Sequence, residues 1–281
     1  MSTEFLIATN GFKGTWSAVE YGVEMAKLLE MKLTLLGVTG NPNPATAGDR
    51  RQLDEMLERA VSLCKEKGVK YSLDVQVGEA EKIIPEKANG GDFITVVGPL
   101  GRSRFKRWLT GRSIRPLLEK ITGPILYVPE SRLPLKRILI SIGGLGYAES
   151  AEKLAIQFAV KNKADVTILH VIPPTDLDYP TAQKVSSHAE DLVETDTPQG
   201  RNLKKGLETA HGQGLKANAI VRRGNIVEEI LIEAKTGNYD LLCLGSPYSA
   251  HTLRHYYTPN VTAEVAESLL CPVLVARYES P

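Results

Sequence analysis

The sequence predicts an α/β architecture of two tandem doubly wound domains, each a parallel sheet with helices on both faces. Three observations carry that expectation: an internal repeat, an alternation of apolar runs with amphipathic stretches inside each copy, and a chain long enough for both. At about 150 residues per domain, 281 residues leave room for two. The first copy opens with EFLIATNGFKGTWSAVEYGVEMAKLLEMKLTLLGV (4–38) and the second with RILISIGGLGYAESAEKLAIQFAVKNKADVTILHV (137–171). Both read as apolar strand, Gly-bearing turn, amphipathic helix and second apolar strand. Further along, VGEAEKIIPEKANGGDFITVVGP (77–99) matches RGNIVEEILIEAKTGNYDLLCLGSP (223–247), and TGPILYVPE (122–130) matches LCPVLVARY (270–278).

In the first copy, strands are expected near 4–8, 32–38, 71–77, 93–97 and 125–128, and helices near 15–30, 50–67, 80–88 and 113–121. The first helix places Trp16, Val19, Val23, Ala26 and Leu29 at helical spacing, a face for burial. In the second copy strands are expected near 137–142, 165–171, 216–221, 241–244 and 273–276, with SRLPLK (131–136) as linker. The domains are therefore 1–131 and 132–281. Asn10 aligns with Gly143 at an offset of 133, and Gly98 with Gly245 at 147, so about fourteen extra residues sit between the second and fourth strands of the second copy. The Pro-, Asp-, Thr- and Ser-rich stretch near 172–200 is the natural place, read as a surface insertion. Alternating strands and helices argue for parallel sheets, because parallel strands need helical crossovers that cover both faces. Right-handed crossovers then bring the carboxyl ends of the first and fourth strands together, where a ligand is expected.

Composition narrows the function classes. Lys and Arg total 34 against 33 Asp and Glu, a net charge of +1, which argues against a nucleic-acid or membrane-surface binder driven by whole-chain charge. No apolar run approaches the roughly 18 residues of a membrane span, and the start lacks a basic segment before its apolar stretch, so no signal peptide is expected. Cys64, Cys243 and Cys271 are odd in number and widely spaced, which argues against a disulfide framework or zinc site and for a reducing cytoplasm.

One loop carries chemistry. After the fourth strand the first copy reads VVGPLGRSRFKRWLTGRSIRPLLEK. Gly98 and Gly101 permit a tight turn with N–H groups turned toward an anion. Gly111, Arg112 and Ser113 then open another helix, whose first amides are further donors. It is not a P-loop, since GxxxxGK[ST] is absent.

The spacing G-2x-G-9x-G after the fourth strand of such a unit resembles the ATP-binding signature of universal stress proteins. The opening LIATNGFKGTWSAVEYG and the closing strands GPILYVP and CPVLVAR resemble the same family, so the likeness covers almost the whole chain as two tandem copies. The resemblance implies a five-stranded sheet of order 3-2-1-4-5 in each domain and an intrachain pairing of the domains through their fifth strands, with homodimerisation a further expectation. Carried over residue by residue, it implies that Asn10 contacts the nucleotide and Val38 lies near the adenine. Val97, Gly98, Leu100 and Gly101 would run beneath ribose and phosphates, and Gly111, Arg112, Ser113 and Ile114 would meet the distal phosphates, while Arg102 joins the expected nucleotide contacts as part of the basic run that follows. ATP, with Mg, is the implied ligand of the first domain, and none is expected in the second.

Two positions depart from the family pattern. Asn10 replaces the usual aspartate, and Arg112 the usual Ser or Thr, moving the hydroxyl to Ser113. Arg112 can pair with a phosphate or fill its place. The second copy departs further: Gly143, Tyr248 and Thr258 stand where Asn10, Gly101 and Gly111 stand in the first, and Pro259 removes a donor. Its site is expected to be dead for ATP. The basic run Arg102, Arg104, Lys106, Arg107, Arg112 and Arg115 is a phosphate-attracting rim, a patch for an acidic partner or a solvated loop. His251 and His255 lack a third ligand nearby, GGLG (143–146) lacks a third dinucleotide-loop glycine, and no GxSxG elbow exists. The expected function is a nucleotide-responsive stress-response regulator, not an efficient enzyme. The rivals are a scaffold acting through an unknown protein partner, and a slow ATPase or autophosphorylating protein with Ser113 or Thr110 as acceptor.

Overall fold

Apolar β-branched runs too short for helices form the strands, and the computed structural model describes residues 4–40, 47–99, 114–143, 149–173, 192–246 and 261–277. The chain divides into two compact units, Met1–Arg132 with Leu270–Pro272, and Leu133–Leu269 with Val273–Pro281.

The first unit contains β1 (Glu4–Thr9), α1 (Trp16–Leu28), β2 (Lys32–Thr39), α2 (Ala47–Lys67), β3 (Tyr71–Val77), α3 (Ala80–Asn89), β4 (Phe93–Val97), α4 (Arg115–Lys120) and β5 (Ile125–Tyr127). Its strands run in the order β3-β2-β1-β4-β5 with parallel pairing throughout. Phe5, Leu6, Ile7 and Ala8 of β1 are fully buried, as expected for a central strand covered on both faces. On one face, a Cβ on Gly22 of α1 would lie 2.7 Å from the Ile7 side chain, and one on Gly37 of β2 would lie 2.9 Å from Leu57 of α2. Helix α3 lies on the opposite face, where Lys87 reaches Asp74 of β3 at 2.8 Å.

The first helix differs from expectation at both ends. It begins at Trp16 and ends at Leu28, and Trp16 and Leu29 are only half-buried. The buried face is Ala18, Val19, Tyr21, Gly22, Val23, Met25 and Ala26, broad because sheet and α2 both press on it. Trp16 instead lies under the Arg59 guanidinium of α2, 3.5 Å from the ring centroid, a cation–π contact at the edge of that interface.

The second unit contains β6 (Arg137–Ile142), α5 (Glu149–Asn162), β7 (Asp165–Ile172), α6 (Pro198–Gly212), β8 (Ala217–Arg223), α7 (Ile226–Thr236), β9 (Leu241–Ser246), α8 (Val261–Ser268) and β10 (Val273–Arg277). Its order is β8-β7-β6-β9-β10, the same winding. The registers repeat as well. Ala8 pairs with Val97 and Ser141 with Leu244, which reproduces the offsets of 133 and 147 read from the sequence. Thirteen of the extra residues fall before β8, because Leu33 pairs with Tyr71 while Val166 pairs with Ala217. Even the helix stops match: Glu30 and Lys163 both turn left-handed, at φ 56° and 53°.

Polar ties differ between the units. Where α3 offers a lysine to a strand carboxylate, α7 offers a carboxylate to a strand arginine. Glu233, 6% exposed, accepts from Arg222 Nε at 2.9 Å and Nη2 at 2.7 Å through one oxygen, and from the Tyr239 hydroxyl at 2.8 Å through the other. The Glu233 bond raises the Arg222 guanidinium above its usual value, and burial raises the Tyr239 phenol. Removing the acceptor takes a partner from both donors at once. Glu233→Ala is therefore expected to cost about 2 kcal/mol in urea unfolding, with Glu233→Gln costing less, since a neutral amide oxygen still accepts.

Candidate functional site

The fold brings the described site residues to one edge of the first sheet. Thr9 pairs with Gly37 and Ala8 with Val97, so Asn10, Val38 and Gly98 each lie one step past a paired position, on three neighbouring strands. Val38 is 3% exposed and Val97 fully buried, so their side chains belong to the core. Ile114, 7% exposed, caps α4, and its carbonyl accepts the Leu117 and Leu118 amides, both at 3.0 Å. Leu100, Gly101, Arg102, Gly111, Arg112 and Ser113 lie outside the described residues, as do Thr110, Tyr248, His251, His255 and Thr258.

The turn after β1 is tightly built. Asn10 Oδ1 accepts the Phe12 N–H at 3.2 Å, a local turn that an aspartate would make equally well. Gly11 has φ +80°, and a Cβ there would sit 2.4 Å from the Leu53 backbone nitrogen, so helix α2 lies directly against this turn. The single turn of 3₁₀ helix at Lys13–Thr15 then feeds α1. Across the crevice, a Cβ on Gly98 would lie 3.0 Å from the Thr15 Cα and 3.4 Å from the Gly14 carbonyl oxygen. The backbone after β4 thus rests on the 3₁₀ turn that leads into α1, so close that any Cβ at 98 would press on Thr15. Residue spacing flags Gly98 and Asn10. It does not flag Thr9, Gly11 or Thr15, although an Asn-Gly dipeptide after an apolar run is a legible turn signal.

The second unit fills the corresponding place differently. His170 pairs with Ile142 as Gly37 pairs with Thr9. Its ring is 5% exposed, and Nδ1 donates to the Ile142 carbonyl at 3.1 Å. Gly143, at the position of Asn10, has no atom of the described residues within 4 Å of a Cβ built on it. Among the described residues no group of three or more His, Cys, Asp or Glu side chains is placed to hold a metal. No described helix is long and apolar enough to cross a membrane. Cys64, Cys243 and Cys271 are all buried, and burial pushes the Cys64 thiol up to about 11.

The sequence model of the universal stress protein family matches residues 134–277. The chain belongs to the universal stress protein family. Among curated relatives, the universal stress protein YxiE of Bacillus subtilis (strain 168) is 26% identical over 146 residues, half of this chain and 98% of that one. A universal stress protein from Archaeoglobus fulgidus DSM 4304 superposes over 98% of this chain and 96% of its own, with a TM-score of 0.71 at 17% identity. A protein of unknown function from Pseudomonas aeruginosa PAO1 superposes over 98% and 92%, with a TM-score of 0.64 at 16% identity. At those identities the two structures establish the shared fold. The family match falls on the second unit, so for this universal stress protein membership is shown by the copy that lacks the G-2x-G-9x-G spacing.

His170 gives that unit a pH dependence. Burial holds its imidazole below the ordinary 6.5, against the Ile142 bond, which favours the charged form. Below about pH 6.5 the unfolded chain takes up a proton that the folded unit refuses, so folded stability falls as pH drops until the depressed native value is reached. Urea unfolding at pH 7.5 and 5.5 should show a steeper acid loss in the parent than in His170→Leu, by up to about 1 kcal/mol per pH unit. Parallel slopes would remove this role.

Proposed function

We propose that the chain is a tandem universal stress protein that binds ATP, with Mg, at the carboxyl end of the first sheet and acts as a nucleotide-responsive regulator. The single observation that carries this reading is the meeting of Asn10 and Gly98 at the strand-order reversal of the first unit, with the G-2x-G-9x-G sequence continuing from Gly98. Open parallel sheets bind ligands at that reversal. Glycine at 98 keeps the backbone low over α1, which is what a loop passing beneath a phosphate requires. Asn10 and Val38 would flank the nucleoside. Gly98, Gly101 and Arg102 would hold the phosphates through backbone amides and one cation, and Ser113 and Ile114 would meet their distal end. The second unit, with Gly143 and Tyr248 at the equivalent positions, is proposed as a degenerate domain joined to the first through their fifth strands.

Asn10 and Arg112 favour a second reading. Both departures fall on contacts that the family signature assigns to the nucleotide, which suits a scaffold that works through a protein partner. Calorimetric titration of nucleotide-free protein with Mg-ATP separates the two. The first reading expects one site per chain, lost in Gly101→Arg, and turnover well below the roughly 1 s⁻¹ at the slow end of ordinary enzymes. Absence of binding in the parent supports the scaffold. Two equivalent sites would overturn the inequality of the domains.

A further inference from the structure

Thr9 and Thr15 are buried hydroxyls at the end of β1 and the entry to α1, 1% and 0% exposed, and they stand 2.6 Å apart. Each hydroxyl has one proton to give. Thr15 Oγ1 donates to the Phe12 carbonyl at 2.7 Å, so the short contact between the threonines is donated by Thr9. Thr9 Oγ1 in turn accepts the Gly11 N–H at 3.2 Å. The result is one directional chain, Gly11 N–H to Thr9, Thr9 to Thr15, Thr15 to Phe12 C=O, in which both hydroxyl protons are engaged.

That chain encloses the turn that holds Asn10. The bonds run from the residue before Asn10 to the two residues after it, and Phe12 N–H closes onto Asn10 itself. Thr15 also stands at the N-cap of α1, where a threonine ordinarily accepts from a first-turn amide and contributes about 1 kcal/mol. Here it makes no such bond. Its hydroxyl is diverted to the turn, while its Cα forms the floor beneath Gly98. One residue therefore sets both lips of the crevice, the Asn10 turn by a hydrogen bond and the Gly98 loop by contact. At the equivalent sequence positions the second unit has Ile142 and Ala148, neither of which carries a hydroxyl with which to build such a chain.

We infer that the Thr9–Thr15 hydroxyl pair is a positioning element of the first unit's nucleotide site, fixing Asn10 relative to Gly98 without touching the ligand. The inference rests on the nucleotide reading above. A network that acts as a unit loses its effect when either member is removed.

The test uses the full chain. Thr9→Val and Thr15→Val delete each hydroxyl at constant shape, Thr15→Ala is the variant of choice if the valine disturbs folding, and Thr9→Ser and Thr15→Ser restore the hydroxyl. Mg-ATP affinity is read by calorimetry, and exchange of the Gly11 amide by NMR without nucleotide. Each Val variant should weaken binding about tenfold, and the double Val variant no more than either single one. The Ser variants should bind within about twofold of the parent, and Gly11 exchange should rise about tenfold in Thr9→Val. A merely structural role would lower the melting temperature and leave affinity and serine rescue unmoved, and that result overturns the inference. Additive losses in the double variant also overturn it. A parent that binds no nucleotide overturns the functional reading first and this role with it. A parent that binds while the folded Val variants bind equally well overturns this role alone.

Discussion

Everything at the candidate site depends on a reversal of winding. Parallel strands are joined by right-handed crossovers, so a chain that lays β2 and β3 to one side of β1 must return over β1 to lay β4 and β5 on the other. At such a reversal the connections leaving β1 and β4 lead to opposite faces of the sheet, so a crevice is expected between their carboxyl ends. In the first unit this puts Asn10 and Gly98 on opposite lips of the gap. Packing then fixes how close the lips come: Gly11 lies against the backbone of α2, and Gly98 against Thr15 at the entry to α1.

The two units obey the same constraint and meet it differently. Their strand order and left-handed helix stops coincide, and the strand registers that follow the two offsets coincide with them. The first unit has small residues at the gap, with Gly37 letting Leu53 and Leu57 press down and Gly11 letting α2 approach. The second unit has His170 at the place of Gly37, and its α6 begins only at Pro198, after the inserted segment. The ion pairs diverge in the same manner, Lys87 with Asp74 in one unit and Glu233 with Arg222 in the other.

Much of this is legible in the sequence because its causes are local or periodic. Apolar runs at period two and amphipathic stretches at period 3.6 place the strands and helices within a few residues. The repeat supplies the register, since two copies with offsets of 133 and 147 imply the same pairing twice. What escapes is set by contacts between residues far apart in sequence. Helical spacing gives α1 a narrow buried stripe that includes Trp16 and Leu29. The helix is instead packed on two sides, and Trp16 meets Arg59 of α2, a partner no local pattern announces. The tie of Glu233 to Arg222 and Tyr239 is equally invisible, because all three look like ordinary surface residues until the sheet edge folds under α7.

The Thr9–Thr15 pair shows why the site itself is only half legible. A glycine pattern names the backbone that must come close to a ligand, and it does so through residues that lack side chains. The groups that hold such a backbone in place must have side chains, be buried, and be fully paired, because an unpaired hydroxyl in the core costs as much as a bond returns. They therefore carry no exposed charge and no distinctive spacing, only two threonines among many. The scaffold can persist when they are gone: the unit beginning at β6 has Ile142 where β1 ends in Thr9, and residues 134–277 still match the family. The fold is thus written in the apolar strands that both copies share, while the buried hydroxyls and close-packed glycines at the end of β1 belong to the first copy alone.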